Sequence, residues 1–232
     1  MKFYAALLSL LIAPLSAQAL TFTTEDAPPQ NFSKGGTVTG FSVDIINEMM
    51  KRSGVKATIS LLPWERAYKM GLEEKDTCVF STTRTEQREK LFKWVGPLSN
   101  NNWVIFAKAD STISIKSLDD AKPYKIGGYQ GDATSIYLKE KGFKVEETTN
   151  DEMNVKKLDA GRIDLWAAGS DSGPWLARNA GTKIKALNTF KETQIYLACN
   201  KSVGDDVVGK MNDTIKGMKT DGTMDKIYKN YR

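Results

Sequence analysis

From about residue 20 onward, short apolar runs rich in β-forming residues alternate with stretches whose apolar side chains recur every three to four positions. That rhythm predicts an α/β fold with mainly parallel sheets: a strand covered on both faces reads as a continuous apolar run, and the helix that carries the chain back needs one apolar stripe. Strands are predicted over 20–24, 56–62, 77–81, 125–127, 144–148 and 164–168. One helix starts at a Ser42 cap, gathers Val43, Ile45, Ile46, Met49 and Met50 on one side and stops at Gly54. Others are predicted over 64–73, 85–91, 133–141 and 151–160. A further helix takes Pro174 in its first turn and ends at Gly181; the chain closes with 203–220, a break at Gly222 and a last helix holding Ile227 and Tyr231.

Two stretches are built alike. Leu72-Glu73-Glu74-Lys75-Asp76 runs into the strand at 77–80 and a Ser/Thr loop, and Leu158-Asp159-Ala160-Gly161-Arg162-Ile163-Asp164 runs into the strand at 165–168 and a Gly/Ser loop. Two similarly made lobes are expected. Open α/β sheets bind ligands beyond the carboxyl ends of their strands, so four loops should face one cleft: Glu25-Asp26, 81–84, 128–133 and 169–173.

Ahead of the first strand stand Met1-Lys2, an apolar stretch over 3–16 and Ala17-Gln18-Ala19, the basic start, apolar middle and small-residue exit of a cleaved export signal. A membrane anchor needs about 20 apolar residues, and Pro14 with the Ala-x-Ala exit argues against one. The expectation is a signal peptide over 1–19 and a soluble, exported mature chain. The formal charge is +5, yet the lysines are scattered, and an exported protein seldom meets DNA, so no nucleic-acid partner is expected.

Two scarcities narrow the chemistry. Among 232 residues there is no histidine, which excludes a Ser-His-Asp triad, a Cys-His pair and the usual zinc sets. With only Cys78 and Cys199, neither a zinc nor an iron-sulfur cluster can be assembled within the chain, so no metal or cofactor is expected. In an oxidising compartment these two cysteines either bridge or stay buried thiols, and the sequence does not choose.

Phe80-Ser81-Thr82-Thr83-Arg84-Thr85-Glu86-Gln87-Arg88 sets hydroxyls at a strand end and an arginine just inside the next helix. A guanidinium fork, hydroxyls and helix N–H groups together make an anion site, unless Arg88 pairs with a structural carboxylate and Thr85 merely caps. Ile126-Gly127-Gly128-Tyr129-Gln130-Gly131-Asp132-Ala133 is a glycine-rich turn that fits neither the dinucleotide nor the P-loop spacing. Asp132 reads most simply as a helix cap, the alternative being a carboxylate that also meets a ligand cation. Trp64, after Pro63 at the mouth of a strand-helix turn, is either core or a wall for a flat ligand part. Asp171, before Pro174, either caps that helix or holds an ammonium, and Glu25, Asp26 and Arg66 are further polar candidates at the cleft.

Gly40-Phe41-Ser42-Val43-Asp44-Ile45, Thr85-Glu86-Gln87-Arg88 with Phe92 and Pro97, Ile126-Gly127-Gly128-Tyr129-Gln130-Gly131, Gly161-Arg162-Ile163-Asp164 and Asp221-Gly222-Thr223-Met224 with Ile227 and Tyr231 follow in that order. In this order they resemble the signatures of the family 3 extracellular solute-binding proteins, the periplasmic polar amino-acid receptors of ABC importers. The resemblance implies a type II periplasmic-binding fold with two α/β lobes joined by a two-strand hinge: lobe 1 from 20–102 and 197–232, and lobe 2, inserted, from 103–196. It implies that Arg88 anchors a ligand α-carboxylate with Thr83, Ser81 lying close by, and that Trp64 is the aromatic wall. Two positions depart from the pattern. Asp132 stands where the family usually has a carboxylate-binding Thr, and Gly169 stands where it usually has the Asp that takes the α-amine, with Asp171 two residues further on.

The function these signs imply is a monomeric periplasmic receptor, without cofactor, that closes around a small polar carboxylate ligand, an amino acid or a relative, and delivers it to an ABC permease in the inner membrane. A ligand whose cation meets Asp132 or Asp171 stays open. One rival is an exported dehydratase-like enzyme on the same scaffold, with Glu25, Asp132 or Asp171 as acid and base. The other is a soluble sensor serving a signalling receptor.

Overall fold

The computed structural model describes residues 19–231; the expected export signal lies outside the described residues except for Ala19. The chain begins in lobe 1 with β1 (Leu20–Thr24), a hairpin of β2 (Phe32–Lys34) and β3 (Thr37–Thr39), α1 (Phe41–Ser53), β4 (Ala57–Leu61), α2 (Trp64–Glu73), β5 (Thr77–Thr83), α3 (Glu86–Glu89) and β6 (Lys93–Asn100). It crosses at 101–102 into lobe 2, which holds β7 (Trp103–Lys108), a 3-10 turn (Leu118–Ala121), β8 (Ile126–Tyr129), α4 (Ala133–Glu140), β9 (Val145–Thr148), α5 (Asp151–Asp159), β10 (Leu165–Gly169), α6 (Ser172–Asn179) and β11 (Ile184–Lys191). It returns through 192–193, a few residues ahead of the expected 196, to β12 (Gln194–Cys199), α7 (Asp205–Thr220) and α8 (Thr223–Lys229).

Each lobe contains one five-stranded sheet, ordered β4-β1-β5-β12-β6 in lobe 1 and β11-β7-β10-β8-β9 in lobe 2. β1 runs parallel to β4 and β5, and β8 runs parallel to β9 and β10. β12 is antiparallel to both its neighbours, and so is β7. These two strands are the first after each crossing. A chain entering a lobe from the cleft side must run away from the cleft, against strands that all run toward it. Mainly parallel sheets are therefore correct apart from one reversed strand in each, and four strand ends per lobe point at the gap.

Ser42 does not cap α1. Gly40 holds the N-cap position at φ 127°, and a Cβ there would come within 2.3 Å of the Gln30 carbonyl oxygen. The segment 29–30 crosses the start of the helix closely enough that its carbonyls accept from Phe41 and Ser42 N–H, at 3.1 and 2.9 Å, replacing a side-chain cap. At the far end Gly54 takes the left-handed conformation, as expected.

The lobe 1 core joins Phe22, Ile45, Ile46, Met49, Phe80 and Leu197 with Met211 and Ile215 of α7. Each such side chain contributes about 1.5–3 kcal/mol on burial. Cys78 and Cys199 lie opposite each other in the β5–β12 ladder and are joined by a disulfide inside this core. Lobe 2 is covered on both faces, by Val104, Phe106 and Trp166 against α5 and α6, and by Ile105, Ile126, Leu138 and Phe143 on the other side. A smaller cluster of Trp64, Ala67, Val79, Phe92 and Ala198 lies in lobe 1, and Tyr129 of lobe 2 packs against it.

Candidate functional site

The strand ends of both lobes enclose a cavity of about 420 Å³. Lobe 1 lines it with Glu25, Asp26, Leu61, Leu62, Ser81 and Thr83, lobe 2 with Tyr129, Asp132, Asp151, Glu152 and Gly169, and the crossing segments with Asn101 and Ile195. Three of the four loops expected at the cleft supply these groups directly, and the fourth, 169–173, reaches it through Gly169 and Ser172.

The lobes touch across the opening. Trp64 Nε1 donates to the Gly131 carbonyl at 3.0 Å, Gln130 Nε2 donates to Glu65 Oε1 at 3.1 Å, and the Tyr129 hydroxyl donates toward the Glu25 carboxyl. Gly131 has φ 71°, and a Cβ there would lie 3.4 Å from the Trp64 ring. The glycine-rich turn read from the sequence thus brings its backbone against the indole of the other lobe.

Glu25 follows β1, so its backbone is fixed by the parallel ladder while its side chain turns into the cavity. Burial pushes its carboxyl up to about 8; Asp132 and Asp151 push the same way, whereas Tyr129 and Arg88 oppose. One oxygen, Glu25 Oε2, is buried without a hydrogen-bond partner, as is Asn101 Oδ1. Burial also raises the Tyr129 phenol above its ordinary range, with the Glu25 carboxylate adding to it.

Asp132 is the cap the sequence predicted: its Oδ2 accepts from Thr134 N–H at 2.9 Å at the start of α4, and it lines the cavity. Asp151 went unnoticed in the sequence, where it reads as the first residue of a helix. In the structure it lines the cavity, accepts from Asn154 Nδ2 at 2.8 Å and Trp166 Nε1 at 2.9 Å, and burial pushes it up to about 6. Its signal is present only in three dimensions, since the indole that orients it comes from β10.

Ser81 has φ 59°, a left-handed conformation uncommon away from glycine, and its hydroxyl donates to Asn31 Oδ1. Thr83 lines the cavity beside it. Arg88 lies one layer behind. Thr85 caps α3 by accepting from Arg88 N–H, and the guanidinium donates from Nη1 to the Thr83 carbonyl at 3.3 Å. It lies 4.8 Å from the Tyr68 ring centre and 5.5 Å from that of Trp64. Among the described residues no carboxylate is within salt-bridge distance of it, but it is 8% exposed and Thr83 rather than Arg88 lines the cavity. Trp64 likewise stands behind the wall that Leu61, Leu62 and Pro63 form. Asp171 does not reach this cavity. It borders two neighbouring grooves beside Tyr228 and makes no side-chain cap on α6, because the chain turns there so that Ser172 faces inward. Arg66 is not among the lining residues either.

Over residues 20–232 the chain matches the family model of the bacterial extracellular solute-binding proteins, family 3. It is 27% identical to a probable histidine-binding protein of Neisseria gonorrhoeae, over 89% of this chain and 80% of that one. It is 28% identical to the lysine/arginine/ornithine-binding periplasmic protein of Escherichia coli (strain K12), over 90% and 84%. The structure is similar to that of an ancestral arginine-binding protein bound to arginine, with a TM-score of 0.79 and 27% identity, covering 92% of this chain and 97% of that one.

Proposed function

Because the chain belongs to the bacterial extracellular solute-binding proteins, family 3, we propose that it is a periplasmic receptor that closes its lobes on an amino acid and presents the closed form to an ABC permease in the inner membrane. Its fold is the type II periplasmic-binding one, and family membership makes it a solute-binding protein, not an enzyme. Glu25, Asp132 and Asp171 then have no proton to shuttle; the first two are available to hold a ligand.

The observation that carries the reading is the cavity itself: about 420 Å³, within the range of small-ligand sites, and lined from both lobes. A solute inside it touches both halves and so stabilises the closed form over the open one. Arg88 is the proposed anchor for the ligand carboxylate. Beside its stacking on Tyr68 and Trp64, its guanidinium makes one long hydrogen bond to the Thr83 carbonyl that a ligand oxygen can replace, and a charge-assisted bond supplies about 1.5–3 kcal/mol. Micromolar binding needs about −8 kcal/mol, so Ser81, Thr83 and the acidic groups must supply the rest. The receptor is proposed to act as a monomer.

Thermal unfolding in the presence of each of a panel of amino acids tests the reading, since a ligand that binds only the folded chain raises its melting temperature. At least one amino acid is expected to raise it by several degrees. Arg88→Ala is expected to remove most of that shift, and full affinity in the variant would show the carboxylate anchor to be misassigned.

A further inference from the structure

Every charged side chain that lines the cavity is a carboxylate. Glu25, Asp132 and Asp151 stand inside, exposed Asp26 and Glu152 stand at the mouth, and among the described residues no lysine or arginine lines it. The groups that would receive an anion each make a hydrogen bond within the protein. Asp132 takes the Thr134 N–H at the start of α4, Asn150 takes the Glu152 N–H at the start of α5, and Arg88 donates to the Thr83 carbonyl from behind the wall. Two buried atoms of the lining residues have no hydrogen-bond partner, and both are acceptors, Glu25 Oε2 and Asn101 Oδ1. A buried acceptor without a donor is costly, and clustered carboxylates repel one another until a cation enters.

We propose that the solute carries two positive charges, one seated among Glu25, Asp132 and Asp151 and the other at the mouth between Asp26 and Glu152. This rests on the receptor reading above and narrows it. The two charge sites differ in exposure and in neighbours: Asp132 and Asp151 act on Glu25 inside the cavity, whereas exposed Asp26 is acted on by exposed Glu152. A dibasic amino acid and a plain diamine share this chemistry. The first also brings a carboxylate, which must win Arg88 from Thr83; the second needs no such exchange.

Isothermal titration of the mature protein at fixed ionic strength with L-lysine, 1,5-diaminopentane, 1-aminopentane, L-glutamine and L-glutamate tests the assignment. At least one of the two dications is expected to bind about ten-fold or more tightly than glutamine and 1-aminopentane, with glutamate weakest. Glu25→Gln is expected to weaken that dication about ten-fold, and Asp26→Asn, exposed and screened, by less than about five-fold. Unchanged ellipticity and melting confirm that each variant is folded. Diamine binding without lysine binding identifies a carboxylate-free solute; lysine alone identifies a dibasic amino acid that uses Arg88. Glutamine, glutamate or the monoamine binding as tightly as both dications overturns the two-charge assignment and leaves the receptor reading standing. Silence of both dications also overturns it, and if the full amino-acid panel is silent as well, the receptor reading falls with it.

Discussion

At Glu25 the fold holds a carboxyl where it is poorly solvated and faces two other acids, so an empty cleft keeps it protonated well above the ordinary carboxylate range. The consequence is a pH dependence with a definite sign. The folded carboxyl titrates near 8 against 4.5 for an unperturbed one, so between these values the folded state binds more protons than the unfolded state, and stability falls as pH rises. Glutamine does not titrate. Glu25→Gln should therefore match the parent in ligand-free melting at pH 4 and exceed it increasingly up to pH 8.5; a constant difference across that range would mean that the carboxyl is not buried in solution. Glu25 was legible as a site residue because it follows a clear strand at a sheet's carboxyl end. Asp151 was not, since what orients it is an indole from β10, which local periodicity cannot place. Asp171 was placed in the cleft on chain position alone, and a single turn at 170–172 sends it into the adjoining grooves.

Among elements, the strand-helix units declared themselves and the strands that join the lobes did not. α2 has the predicted 64–73 limits, and β1 the predicted 20–24, because each carries its own apolar pattern. β6, β7, β11 and β12 were not read as strands: their partners within each sheet are far away in sequence, so no local repeat of strand and helix frames them. The β5–β12 pairing is also where the cysteines meet, a contact that sequence separation hides. The bridge closes a loop spanning 121 positions that contains all of lobe 2, and constraining so long a loop in the unfolded chain contributes about 2–4 kcal/mol. Replacing both cysteines by alanine should lower the urea midpoint and, by letting the unfolded chain expand, steepen the transition, with ligand affinity nearly unchanged. A variant as stable as the parent would show that the bridge does not form.

On the scale of the whole molecule, only two short segments connect the lobes, 101–102 and 192–193, tied by Asn101 N–H to the Thr193 carbonyl at 2.8 Å. Across the mouth, among the described residues, Trp64 and Gln130 make single hydrogen bonds, Tyr129 packs against the lobe 1 cluster, and the Phe32 and Trp175 rings lie 5.6 Å apart. A bound solute that touches both lobes should shift them further toward the closed form and lower the radius of gyration measured by X-ray scattering; identical radii with and without ligand would argue against hinge closure. The sequence by itself determined the α/β alternation, the two lobes, the α4 cap at Asp132 and the absence of histidine chemistry, because each depends on residues close together in the chain or on composition. Only the tertiary structure decided that Cys78 meets Cys199, that Arg88 stands behind Thr83, and that Asp151 joins Glu25 and Asp132 around one hollow. Those facts depend on distances between residues far apart in sequence, and packing alone sets such distances.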